Sequence, residues 1–255
     1  MTQSLSNKLA VVTGASAGIG MAIARRLLDA GARVVVAARR VERLRTLTEP
    51  FGERGSHRAL DVTSEDSVTG FVHWVLEEHG APDILVNNAG LARGLGPVVS
   101  ASEADWREMM EANVMGLMRL TRAFLPGMLE RGSGDLVQMS SIAGVQPYPN
   151  GAGYCASKAA VEAFSLALRR ELVGTGVRQL VIQPGMAETE FSEVRFHGDA
   201  GRAKDVYRGV TPLSAEDIAD CVCFALTRPP HVSIQTLLVT PTAQATATEV
   251  ARRPS

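Results

Sequence analysis

Leu9-Ala-Val-Val-Thr-Gly-Ala-Ser-Ala-Gly-Ile-Gly20 is the stretch on which the fold turns. Leu9 to Val12 is a short apolar run, and it leads directly into glycines at positions 14, 18 and 20. A helix-like pattern follows to Ala30, with Gly31 placed to close it as a C-cap. Strand, glycine turn and helix in that order make a phosphate site. The glycines let the backbone approach a pyrophosphate, and the helix N-terminus offers free N–H groups and a positive dipole end. The spacing is not the commoner G-x-G-x-x-G, so the flanking strand and helix carry the weight.

Downstream, Arg33 to Ala38 is apolar after its first residue, as expected of a strand in a parallel sheet covered on both faces. Arg39 and Arg40 follow it. An acidic residue at that position takes a ribose 2′-hydroxyl, whereas an arginine suits a 2′-phosphate, so the pair reads as a clamp for NADP; two solvated charges opening a helix is the other reading. Ala59 to Val62 ends a third strand, with Asp61 placed either at an adenine edge or as a turn residue. A helix from Thr63 to about His79 is predicted, with Ser64 as its cap. Ile84 to Gly90 is a fourth strand running into a small-residue turn, at the end of a sheet where ligands bind.

A long helix is expected from Ser102 to Arg131, with an apolar stripe of Trp106, Met110, Leu117, Leu120 and Phe124. Asn113 interrupts the stripe. A buried amide is costly unless bonded, so Asn113 either ties off backbone groups, or holds a water or distorts the helix beside a site. Asp135 to Met139 reads as a fifth strand, which places Ser141 at its end, as a turn residue or as a donor to a substrate oxygen. A helix over Ala152 to Thr175 puts Tyr154 and Lys158 on one face, four residues apart. A phenol titrates near ~10, and a neighbouring ammonium favours its phenolate, so such a pair can pass a proton at a carbonyl or carbinol. A sixth strand at Val177 to Ile182 precedes a polar excursion to about Pro212, long enough to be a lid. Ser214 to Thr227 reads as a helix and Ile234 to Val239 as the last strand.

The 255 residues are 45% hydrophobic and 21% charged, with a net charge of -1, enough material for one sizeable core. No linker divides the chain, so one domain over residues 1–255 is expected, with the lid at about 186–212. The balanced charge and lack of a basic tract argue against nucleic acid, and no apolar run approaches the roughly 20 residues of a membrane span. Met1 to Lys8 is short and polar, unlike an export signal, and Cys155, Cys221 and Cys223 show no metal-ligand spacing. Reduced thiols, a cytoplasmic location and no metal are the expectations.

Alternating strands and helices imply an α/β fold, a Rossmann-like doubly wound parallel sheet of about seven strands. With T-G-A-S-A-G-I-G, N-N-A-G at 87–90, Asn113, Ser141 and Y-C-A-S-K in order, the whole chain resembles the single-domain short-chain dehydrogenases/reductases. That resemblance implies that Tyr154 is the acid/base, that Lys158 lowers its pKa and bonds the nicotinamide ribose, and that Ser141 polarises the substrate oxygen. It implies that Asn113 holds a water of a proton relay. Cofactor contacts are implied for Gly14, Ser16, Gly18, Ile19, Gly20, Asp61, Val62, Asn88, Ala89 and Gly90, and on the nicotinamide side for Pro184, Gly185 and Thr189. Ala17 stands where some NADP-preferring members carry a basic residue, so the NADP reading rests on Arg39 and Arg40.

Thr189 to Asp199 and Pro230 to Thr236 are further similar to bacterial NADP-dependent 3-hydroxy acid (serine) dehydrogenases, and Val137 to Gly144 to reductases of clavulanate-type aldehydes. A small 3-hydroxy acid is therefore the leading substrate class. Arg195, in the lid, is the candidate for a bidentate pair with its carboxylate, ahead of Arg93. A reductase of a larger aldehyde or ketone and a non-catalytic NADP-binding sensor are the rivals. The small side chains Ala159, Ala160, Ala163 and Ala167 point to a homo-oligomer, a tetramer by preference.

Overall fold

A computed structural model describes residues 3–253. Its framework is one sheet of seven parallel strands: β1 (Leu9–Thr13), β2 (Arg33–Ala38), β3 (Gly55–Ala59), β4 (Ile84–Asn87), β5 (Gly134–Met139), β6 (Val177–Pro184) and β7 (Thr236–Val239). Their spatial order is β3-β2-β1-β4-β5-β6-β7. The chain winds outward from β1 to β3, then returns to the other side of β1 to lay down β4. The order reverses between β1 and β4, and a crevice opens beyond their carboxyl ends.

Helices cover both faces. On one side lie α1 (Gly18–Asp29), α2 (Val41–Thr48) and α9 (Ala215–Leu226), against Val34, Val36, Ile84, Val86, Val137 and Ile182. The opposite face, with Val11, Val35, Leu85 and Leu136, meets α3 (Glu65–Glu78), α5 (Gly116–Arg131) and α6 (Ala152–Glu171). Alternate residues of β2 thus feed different cores, which is why the strand is apolar along its length. Phe71 of α3 and Phe124 of α5 meet edge to face at 6.4 Å and are 1% exposed, each burial worth about 1.5–3 kcal/mol. Among the described residues no helix is long and apolar enough to cross a membrane.

The helix expected from Ser102 to Arg131 is present but not uniform. It begins as α4 (Glu103–Met110), capped by Ser102, and passes through a π turn at Glu111–Met115 before continuing as α5. Widening one turn by a residue rotates everything upstream by roughly 100° relative to a straight α-helix. The predicted stripe therefore fails at Met110, which is 40% exposed, while Met109 is 1% exposed and takes its place in the core.

Other boundaries differ from expectation, among them that β6 runs on to Pro184 and β7 begins only at Thr236. β3 stops at Ala59 rather than Val62: the Leu60 N–H still reaches the Ala38 carbonyl, but the Asp61 carboxylate accepts from the Thr63 N–H and the Ser67 hydroxyl takes the Asp61 N–H, which turns the chain away from β2. The helix of Tyr154 ends at Glu171 rather than Thr175, since Gly174 and Gly176 adopt left-handed φ of 80° and 78° and the Thr175 hydroxyl donates to the Leu172 carbonyl. The excursion after β6 is partly helical, holding α7 (Phe191–Arg195) and α8 (Ala200–Asp205).

Candidate active site

The candidate residues named from the sequence line a single cleft of about 550 Å³, except Asn113, Arg93 and Arg195, which are not among its lining residues. The cleft follows the carboxyl ends of the strands. At its floor the Thr13 hydroxyl, last in β1, donates to the Val86 carbonyl and accepts from the N–H groups of Asn88 and Ala89. The Asn88 amide donates to the Thr13 and Gly14 carbonyls at 2.9 and 3.3 Å. The turns after β1 and β4 are so close that a Cβ on Gly14 would sit 2.8 Å from the Ala89 Cα, and one on Gly20 would sit 2.3 Å from the Asn88 amide nitrogen. Only glycine fits there, and a slender backbone groove with unblocked N–H groups is the result.

At one end of the groove Arg40 donates from Nε to the Ser16 hydroxyl (3.2 Å) and pairs through a terminal nitrogen with Glu190 (2.8 Å). Arg43 shares that carboxylate at 2.5 Å. The two arginines hold the Glu190 carboxyl below the usual range, with Arg43 the stronger influence. Burial works to raise the Asp61 carboxyl, but the Thr63 hydrogen bonds and the charge of Arg39 outweigh it and lower it. Glycine loop, Ser16, Arg39 and Arg40 together fit a dinucleotide carrying a 2′-phosphate.

At the other end stand Tyr154 and Lys158, on the buried face of α6 and only 8% and 4% exposed. Lys158 Nζ lies 5.9 Å from the Tyr154 ring centre and donates to the Met139 carbonyl at 2.8 Å. Burial brings the ammonium down to about 8. Burial also raises the Tyr154 hydroxyl above its ordinary value, opposed by the Ser141 hydroxyl and the Arg195 guanidinium. The pull toward phenolate thus comes from Ser141 and Arg195, and desolvation outweighs it; a simple lowering by Lys158 is not what this geometry gives. Ser141, beyond β5, accepts from the Ala143 N–H at 3.1 Å.

Asn113 sits on the π turn, 1% exposed. Its amide accepts from the Leu91 N–H (2.7 Å) and donates to the Leu91 carbonyl (2.9 Å) and to the Ser157 hydroxyl (2.9 Å). A Cβ on Gly90 would lie 2.8 Å from the Asn113 oxygen and 3.7 Å from Lys158 Nζ, so the two side chains flank Gly90. Both readings offered for Asn113 therefore hold in part: it ties off backbone, and it does so at a distorted turn beside the cleft.

Two arginines were candidates for a substrate anion. Arg93 forms a bidentate pair with Glu108 (2.7 and 2.9 Å) and donates to the Val194 carbonyl, so its guanidinium is engaged. Arg195 donates to the Tyr148 hydroxyl at 2.5 Å and lies 5.1 Å from the Tyr154 ring centre. Its Nε is buried and has no partner among the described residues. Sequence reasoning passed over Thr13, Tyr148, Ser157, Phe191 and Glu190. Phe191 packs on the Tyr154 ring at 5.6 Å, and only its position after Thr189 could have marked it.

Residues 8–199 match the family profile of the short chain dehydrogenases. Over 240 residues the chain is 43% identical to the NADP-dependent 3-hydroxy acid dehydrogenase YdfG of Escherichia coli K12, covering 94% of this chain and 97% of that protein. It is equally identical, over 240 residues, to sulfoacetaldehyde reductase 2 of Chromohalobacter salexigens, covering 93% and 95%. Among solved structures, the closed form of serine dehydrogenase complexed with NADP+ superposes with a TM-score of 0.91 at 42% identity, covering 96% of this chain and all of that one.

Proposed function

The chain belongs to the short-chain dehydrogenase family, and from that premise we propose that it is an NADP(H)-dependent oxidoreductase moving a hydride between nicotinamide and the carbinol or carbonyl carbon of a small, serine-like 3-hydroxy acid. The observation that carries this is the setting of Tyr154: it is buried beside Lys158, Arg195 lies over its ring, and Ser141 shares with it the end of a cleft that begins at the glycine loop.

The bound nicotinamide supplies the hydride acceptor or donor. Burial keeps the Tyr154 hydroxyl protonated at neutral pH, which suits a general acid that gives its proton to a carbonyl oxygen. In the oxidative direction Tyr154 receives the carbinol proton, eased by Ser141 and Arg195. Ser141 polarises the same substrate oxygen. Lys158, lowered only to about 8, still carries its charge for most molecules at pH 7, where it holds the nicotinamide ribose and stabilises the phenolate as it forms. Asn113 holds the water that relays protons towards Lys158. Gly14, Gly18, Ile19 and Gly20 take the pyrophosphate; Ser16, Arg39 and Arg40 the 2′-phosphate; Asp61 and Val62 the adenine. Asn88, Ala89, Gly90, Pro184, Gly185 and Thr189 line the nicotinamide side. Arg195, whose guanidinium lies over the Tyr154 ring, takes the carboxylate of the substrate.

Residues 186–212 act as a lid on one domain spanning the chain. The exposed Ala159, Ala163 and Ala167 of α6, beside half-buried Ala160, offer the close-packing surface of a homotetramer, and the cytoplasm is the expected location. A second reading, reduction of an aldehyde, is favoured by the likeness to sulfoacetaldehyde reductase 2.

NADPH absorbance, followed with a panel of 3-hydroxy acids, L-serine and its decarboxylated analogue, tests the proposal. Turnover requiring both the 2′-phosphate and the carboxylate is expected, and Arg195→Met is expected to raise KM for the acid by about 10-fold or more. Turnover confined to aldehydes in the reducing direction would move the assignment to the second reading.

A further inference from the structure

Arg40 is fixed at two points, by Ser16 through Nε and by Glu190 through one terminal nitrogen, and its other terminal nitrogen has no partner among the described residues. A guanidinium is a rigid planar fork, so two anchors set the direction of the third group. Arg40 and Ser16 both line the cleft. Glu190 also holds Arg43, so one carboxylate keeps two like charges side by side that would otherwise repel.

Glu190 is equally tied to the opposite end of the cleft. It immediately precedes α7, and its carbonyl accepts from the Val194 N–H at 3.0 Å, within that helix. Its neighbour on one side, Thr189, abuts the glycine loop: a Cβ on Gly18 would lie 3.1 Å from the Thr189 Cβ. Its neighbour on the other side is Phe191, whose ring packs on Tyr154. Arg195, at the end of the same short helix, lies over that ring as well. Consecutive residues thus join the arginine of the adenosine end to the tyrosine of the reacting end.

Resting on the NADP reading above, we propose that Glu190 is a positioning residue that aims Arg40 at the cofactor 2′-phosphate and, through the same ion pair, seats α7 against Tyr154. NADP is preferred because Glu190 pre-orients Arg40, and the pocket around Tyr154 is assembled best when Arg40 is in place.

The test uses the full chain with Glu190→Ala and Glu190→Gln, titrated with NADP+ and with NAD+, followed by steady-state kinetics with the hydroxy acid. Because these ion pairs are half exposed, Glu190→Ala is expected to weaken NADP+ binding by about 3–10-fold and to leave NAD+ binding within about twofold. It is also expected to raise KM for the acid at saturating NADP+, with the melting temperature unmoved. Glu190→Gln, which keeps an acceptor for the arginines, is expected to lose less than Glu190→Ala. Removing a negative charge beside a phosphate would by itself tighten NADP+ binding, so unchanged or tighter binding in Glu190→Ala would overturn the proposal. Equal losses for both cofactors would also overturn it, as would a change in NADP+ affinity with KM unmoved. Wild-type chain that binds NAD+ as tightly as NADP+ would defeat the cofactor reading itself, which the wild-type titrations report before any variant is made.

Discussion

At the Tyr154 end of the cleft, Ser141, Asn113, Tyr154 and Lys158 are at most 9% exposed, whereas at the Arg40 end Arg40, Arg43 and Glu190 leave 39–47% of each side chain open to solvent. The buried end has its chemistry set by desolvation: the phenol rises, the ammonium falls, and each polar atom needs a protein partner. The open end is built from charges in water, where each pair contributes about 0–1 kcal/mol and salt weakens it. At the buried end, a substitution that leaves a polar partner unpaired is expected to be costly. The other end, on the proposed assignment, would discriminate between cofactors at little cost in stability.

The strongest way to break this contrast lies at Tyr154. Tyr154→Phe is expected to lower turnover by about 10²–10⁴-fold while NADPH still binds, because only the proton donor is removed. Turnover that survives, measured by NADPH absorbance, would end the acid/base assignment. Asn113→Leu comes next. It leaves the buried Leu91 N–H and carbonyl without partners, for an expected loss of about 2–4 kcal/mol in urea unfolding. A loss well under about 1 kcal/mol would mean that the π turn relaxes to satisfy Leu91 by itself.

Lys158 sharpens the contrast with an effect of opposite sign. Its folded pKa, about 8, lies below the ordinary 10.5, so between those values the unfolded chain binds the proton more readily than the folded one. Stability from this group therefore rises as pH climbs through that window, and the full penalty stands below pH 8. Lys158→Met is expected to gain about 1–3 kcal/mol at pH 7, after allowing for the lost donor to the Met139 carbonyl, and to lose activity. Denaturation at pH 7 and pH 10 checks this, since the gain must shrink at the higher pH. A gain independent of pH would show that packing, not desolvation of the charge, is responsible.

Much of the framework was legible because it depends on local pattern. β2 was read over its observed length, as it is apolar between a glycine turn and a pair of arginines. Ser64 caps α3 as its position suggested, and the helix read from Ser214 proves to be capped by Ser214 in a reciprocal capping box with Asp217. Met110 and Met109 show where pattern fails: helical spacing chose the wrong methionine because a π turn shifts the phase, and that turn has no signature in spacing. Asn113 was the one hint, a polar residue inside an apolar stripe. Glu190 gave none, since an acidic residue in a charged loop looks the same whether it faces water or two arginines 147 and 150 positions away in the chain.

The sequence by itself determined the strand–glycine–helix phosphate site, the parallel alternation and the residues that gather at the strand ends, because each depends on near neighbours and on a sheet that collects strand ends at one edge. Only the tertiary structure decided which charges meet: that Arg93 is held by Glu108, that Arg195 lies over Tyr154, and that Lys158 is turned to the Met139 carbonyl. Electrostatic energy depends on distance and burial, and neither is written in the order of residues along a chain.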